Sequence, residues 1–145
     1  MAVDLEAALP PLLQQRLGAT RGDVTGLAVP VCTVDREGLP HPAMLSYSEL
    51  SSDDPQTLRA VVHQTSRTAR HLRERGVMTL LFVDPDTTCY VKARVTGPAT
   101  PRRDEPGRLE FTLVVVAVLA DRTAADERAA VITSGIRFAR VAGSG

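Results

Sequence analysis

In the stretch HQTSRTARHLRERG, residues 63 to 76, four arginines and two histidines surround one short run of helical spacing. Thr65, Ser66 and Thr68 cluster where a strand around Leu58 to His63 gives way to a helix over Ser66 to Arg75, closed by Gly76. The first turn of a helix offers free N–H groups and the positive end of its dipole, so it attracts a phosphate. Hydroxyls add donors there, and the planar fork of Arg67 grips phosphate oxygens in pairs. Arg70, one turn on, adds charge. Arg73 and Arg75 fall in the last turn with Glu74, where cations suit the dipole without any ligand. With no ligand, the same residues read as a capped helix with a solvated basic face.

The rest of the composition says that any anion site is local. Seventeen basic and seventeen acidic residues cancel, so no global field recruits nucleic acid or an anionic membrane. Three Phe, two Tyr and no Trp are too few for a stacking platform on single strands. The longest apolar run, Phe111 to Ala120, is short of the roughly 20 residues a membrane helix needs. Asp4, Glu6, Pro10 and Pro11 are foreign to a signal peptide, and the chain reads as soluble and cytoplasmic. Cys32 and Cys89 sit in apolar, β-branched runs and read as buried free thiols. No CxxC or HExxH spacing marks a metal site. No serine–histidine–carboxylate set or carboxylate pair offers a catalytic engine, so no catalytic residue is assigned.

The elements that must position the basic stretch follow from periodicity. Leu5, Ala8, Leu9, Leu12, Leu13 and Leu17 have helical spacing, with Asp4 as cap and Gly18 as stop. This gives an N-terminal helical segment over residues 1–20, split at Pro10 and Pro11. A hairpin follows, turning at Asp35-Arg36-Glu37-Gly38, and Pro30, Pro40 and Pro42 suit edges or bulges. Ser51 to Pro55 reads as a polar turn before the third strand. After the basic helix, Val77 to Val83 is a buried strand. In the next strand Tyr90, Lys92, Arg94 and Thr96 alternate with Val91, Ala93 and Val95, one wet face and one dry. A polar loop leads to the longest strand signal, LEFTLVVVAVLA, and Thr123 with Asp126 opens a helix over 123–135. Strands beside strands with few helical crossovers predict a mainly β single domain over 1–145, an antiparallel sheet or barrel.

The succession VCTVDREGLPHPAML, LRAVVHQTSRTARHLRERG, VMTLLFV and YVKARVTGPA, about residues 27 to 100, resembles the FMN-binding split barrels related to pyridoxamine 5′-phosphate oxidase. The resemblance implies a six-stranded antiparallel split β-barrel with flanking helices, a homodimer with FMN between the subunits, and a flavin-dependent oxidoreductase. It places the cofactor phosphate at Thr65, Ser66, Arg67 and Thr68, with Thr68 where lysine is usual and Arg70 positioned to compensate. His63 lies beside that corner as a hydrogen-bond donor. Lys92 falls where the oxidases carry glutamine near the flavin, and Arg94 where some carry arginine. The segment Pro42 to Leu45, with Met44 at its centre, lies along the ring and offers backbone; the basic residue usual there is absent. The tail GIRFARVAGSG matches nothing in the terminal substrate segment of the true oxidases, so that specific activity is not expected. Alternatives keep the fold: F420, whose longer anionic tail would draw on Arg102, Arg103 and Arg108; haem; or a non-catalytic dimeric binding protein that has lost flavin.

Overall fold

The computed structural model describes residues 2–18, 24, 26–121 and 130–139. The described chain runs β1 (Ala2–Leu5), α1 (Pro11–Leu17), β2 (Ala28–Val34), β3 (Pro40–Ser46), a 3₁₀ turn (Tyr47–Glu49) and β4 (Leu50–Asp54). It continues with β5 (Thr57–His63), α2 (Arg67–Glu74), β6 (Val77–Asp84), β7 (Thr87–Val95), β8 (Thr100–Pro101) and β9 (Arg108–Asp121).

All strand pairs are antiparallel, in the order β3-β2-β6-β7-β9-β5-β4, with β1 and β8 added along β9. β3 and β4 are the two ends of that path, yet only Tyr47–Glu49 separates them in sequence. Four residue steps reach at most about 14 Å, so the sheet must curl until its edges approach without pairing. That is a split β-barrel. The six long strands are the expected ones; β1, β4 and β8 are short additions.

The barrel interior is filled by alternate residues: Val29 and Val31, Leu58 and Ala60, Met78, Leu80 and Phe82, Val91 and Ala93. On β9 the inward residues are Leu109, Phe111, Leu113 and Val115, then Val118. The step from odd to even comes at a bulge, where Lys92 faces Ala117 but Ala93 faces Val115. An extra residue in one strand resets the two-residue period and deepens the local twist. Pro42 lies on an edge strand and Pro30 just outside the short β2–β6 ladder over Val31 to Thr33, so neither costs a ladder bond on a central pair.

Three expectations are corrected. The first helical turns are absent: Ala2–Leu5 is a strand paired with Val118–Asp121, and the helix begins only at Pro11. Pro11 forces its predecessor out of the helical region and is itself tolerated at a first helical position. β9 outruns β5, whose pairing stops at Thr57–Val114, leaving a free edge that β1 fills. Second, Ser51 to Asp54 is strand rather than turn, because β5 offers it a partner in Leu50–Ala60 and Ser51–Arg59. Third, residues 130–135 of the expected C-terminal helix are not helical; Thr123 and Asp126 lie outside the described residues. Instead the segment is laid along the start of β2, with the Ala28 amide donating to the Ile136 carbonyl and Phe138 to Gly26. Gly135 suits that close approach, since a Cβ would meet the Val83 carbonyl and Asp84 Cβ at 3.1 Å and oblige them to shift.

Candidate functional site

The basic stretch forms the junction foreseen from its residues. β5 ends at His63, Ser66 caps α2, and Gly76, at φ +69°, takes the left-handed turn that frees the chain into β6. Ser66 acts as the cap: its Oγ accepts from the Ala69 amide at 3.0 Å and donates its only proton to the His63 carbonyl at 2.7 Å. Ser66→Ala is therefore expected to cost about 1 kcal/mol of stability with or without ligand, checked by urea denaturation of the ligand-free protein.

The inner face of α2 is set by Thr68, Ala69, His71 and Leu72, all buried. His71 Nδ1 lies 2.8 Å from the Thr33 hydroxyl, and its ring meets that of His41 edge-on at 4.9 Å. These contacts dock α2 onto the β2–β3 hairpin. Its far end is tied to the hairpin turn as well. Arg36 forks onto the Glu74 carboxylate at 2.8–3.2 Å, and Arg75 donates to the carbonyls of Asp35 and Arg36. Hydrogen bonding from Arg36 holds the Glu74 carboxyl below its usual range.

Two openings lie on this part of the fold, one of them along α2. One, about 470 Å³, is lined by Gln64, Thr65, Ser66, Arg70, Arg73 and Glu74. The other, about 550 Å³, lies on the outer sheet face among Cys32, Val34, Val77, Leu81, Tyr90 and Lys92. Pairing aligns Cys32, Thr79, Lys92 and Ala117 in one row across four strands, which is why Lys92 stands over that groove. Cys32 is only half-buried, unlike Cys89, because β2 points it outward into the groove.

The expected site residues are thus divided. Thr65, Ser66 and Arg70 share the polar opening, and Lys92 lines the apolar one. Arg67 and His63 are exposed beside the polar opening but do not line it. Thr68 is 6% exposed, on the buried face of α2. Met44 is 51% exposed on the edge strand β3 and lines neither opening. Arg94 lies on the same exposed face as Lys92. Arg102 is committed to Asp104, Glu105 and Glu110, and Arg108 to Glu49 and Glu105. Those two cations hold the loop after β8 and the 3₁₀ turn together. Arg103 is exposed.

Sequence reasoning missed two things. Arg73 does not extend from the last turn into water: its Nη2 folds back to the Gln64 carbonyl at 2.7 Å, at the opposite end of the helix. It also missed a buried ion cluster. Arg16, 9% exposed, contacts Asp84 at 2.5 Å, Asp86 at 3.1 Å and the Tyr47 hydroxyl at 3.4 Å. Burial works against charge on both main partners, yet the mutual hydrogen bond wins. It raises the Arg16 guanidinium above its usual value and, with the amides of Asp86 and Thr87, lowers the Asp84 carboxyl. A single arginine in a leucine-rich helix gave no local signal of this.

Comparison with known proteins extends the fold to a family. Among solved structures, a provisionally named pyridoxamine 5′-phosphate oxidase from Lactobacillus delbrueckii superposes with TM-score 0.58 at 16% identity, covering 81% of this chain and 98% of its own. An FMN-binding protein from Syntrophomonas wolfei gives 0.55 at 16% identity, over 68% and 79%. An F420 reductase gives 0.52 at 18% identity, over 66% and 90%. A search of curated protein sequences finds no match. Residues 27–134 match the family model for pyridoxamine 5′-phosphate oxidase, which spans both openings and every strand from β2 to β9, and the chain belongs to that family.

Proposed function

We propose that this chain binds FMN and serves as a flavin-dependent oxidoreductase in which two copies enclose the cofactor. The observation that carries the reading is the presence of two unlike openings, one along α2 and one on the outer face of β2, β6 and β7. A guanidinium-lined concavity runs from Gln64 to Glu74, and an apolar groove begins at Val77, just beyond the helix. α2 has eight residues, so it is about 12 Å long. A ligand with a phosphate at one end and a flat apolar ring system at the other matches that division. The apolar groove falls within the 300–1,000 Å³ range usual for small-molecule sites.

FMN supplies the electron-transfer chemistry when bound, and the chain's residues bind, orient and shield it. The polar opening neutralises phosphate. Val34, Val77 and Leu81 offer the ring a dry surface, and Lys92 brings one positive charge to it. The outer sheet face continues from this groove to Val114 and Val116, which are 39% and 46% exposed in the single chain. A second copy packed on that face would cover them and close the groove to water. A homodimer is therefore part of the proposal.

F420 remains the second reading, favoured by the likeness to an F420 reductase. The arginines that its longer tail would draw on do not support it, because Arg102 and Arg108 are engaged with carboxylates.

Purified protein titrated separately with FMN and F420, and followed by flavin fluorescence and visible absorbance, decides between them. Saturable binding of FMN with a perturbed flavin spectrum is expected. Binding of F420 alone selects the second reading, and binding of neither overturns both.

A further inference from the structure

We infer that the cofactor phosphate is held by Arg70 and Arg73, rather than by the consecutive residues Arg67 and Thr68; the inference rests on the FMN reading above. Arg70 and Arg73 line one opening together with Thr65 and Ser66. Successive helical residues turn by about 100°, so Arg70 and Arg73 lie close to the azimuth of Ser66 on either side, while Arg67 is turned about 100° from it. Arg67 is accordingly exposed but outside the opening.

Thr68 cannot take the role of a second cation. It is neutral, and its side chain is buried against the sheet with Ala69, His71 and Leu72. The Ser66 hydroxyl spends its one proton on the His63 carbonyl and so has no donor left for a phosphate oxygen. Charge for an anion must come from elsewhere, and the fold brings it from an unexpected direction. The bond from Arg73 Nη2 to the Gln64 carbonyl draws that guanidinium back along α2 to the helix start. One Nη2–H is spent on that carbonyl, which leaves the other donors of the fork free, and Arg73 lines the same opening as Arg70. Arg70 has no carboxylate within ion-pair distance among the described residues. The acid lining the opening, Glu74, is neutralised by the fork of Arg36 from the hairpin turn. The opening therefore carries a net charge of two guanidinium groups, which suits a phosphate monoester dianion.

The test compares FMN with riboflavin, which differ by the phosphate alone, in the full chain and in Arg67→Gln, Arg70→Gln and Arg73→Gln. Dissociation constants come from flavin fluorescence quenching. The native protein should prefer FMN, and Arg70→Gln and Arg73→Gln should each lose about tenfold or more of that preference. Riboflavin affinity should stay within about threefold in both, as expected when only phosphate contacts are removed. Arg67→Gln should lose the smallest share. Because Arg73 also anchors to Gln64, Arg73→Lys is the companion variant: it keeps the charge and should retain part of the preference. Loss of preference in Arg67→Gln with Arg70→Gln unaffected overturns the inference and restores the consecutive pair. Equal native affinity for FMN and riboflavin overturns the inference while leaving the flavin reading intact. A native protein that binds neither defeats the flavin reading itself, and this inference with it.

Discussion

Arg16→Met should be the most damaging single substitution outside the apolar core, costing about 3–5 kcal/mol. The reason is asymmetry. The variant keeps an unbranched apolar stem at a buried position of α1, yet it leaves Asp84 buried without its counter-charge. Asp84 also receives the amides of Asp86 and Thr87, which order the turn between β6 and β7. The double variant Arg16→Met/Asp84→Asn should recover at least half the loss, since asparagine still accepts from those amides without carrying charge. Urea denaturation of the three proteins at pH 7 measures both effects. A loss below about 1 kcal/mol in the single variant would show that the cluster is solvated like a surface pair.

The same cluster sets an acid limit. Arg16 and the turn amides hold the Asp84 carboxyl below its usual range in the folded chain, against the opposing effect of burial. The unfolded chain, with an ordinary aspartate near pKa 3.9, takes up the proton more readily. The contribution of Asp84 is thus present above about pH 4 and disappears as pH falls through the lower folded value. In Asp84→Asn that part of the acid dependence should vanish, which a series of denaturation curves from pH 3 to pH 7 would show.

Val116→Asp should separate the two copies of the proposed homodimer. In the single chain Val116 is 46% exposed at the β9 bulge, so the substitution leaves the protomer fold nearly undisturbed. Within a packed dimer face it buries an unpaired carboxylate, and the dissociation constant should rise by at least about 100-fold, or ~2.7 kcal/mol. Sedimentation velocity across a dilution series reads this directly. FMN affinity should fall with it, because the apolar groove then stays open to water. A native protein that sediments as a monomer at all concentrations would remove the second copy from the proposal. A variant that remains dimeric would move the interface to another face.

Much of the architecture is legible in the chain because single-period patterns report single faces. The alternation from Tyr90 to Val95 marks one wet and one dry side, and β7 has both. Ser66 at a helix start and Gly76 at its end bound α2 within a residue of the expected limits. The run Val115-Val116-Ala117-Val118 shows where such reasoning fails. Alternation would bury Ala117 after Val115, yet it is Val118 that is buried. Only the bulge against β7, between the pairs Lys92–Ala117 and Ala93–Val115, decides that.

The first residues make the same point for helices. Leu5 to Leu17 has helical spacing throughout, but spacing does not register that β9 leaves an edge open for Ala2–Leu5. Pairing with a strand more than 100 residues away outweighs a weak local preference. The tail behaves likewise, with Ile136 and Phe138 bonded to a chain segment near residue 27.

For the candidate site, the sequence by itself determined the strand-to-helix junction, its cap and its excess of positive charge. These are local properties, set by residue type and by spacing within one turn. The tertiary structure alone decided which charges face one opening. Thr68 turned inward because the helix must bury a face on the sheet, and Arg73 folded back because a carbonyl lay within reach. It also decided that Lys92 overlooks an apolar groove, and that Arg16 meets Asp84 across 68 residues of chain. Side-chain direction depends on what the rest of the fold packs against each element, and no window of neighbouring residues contains that information.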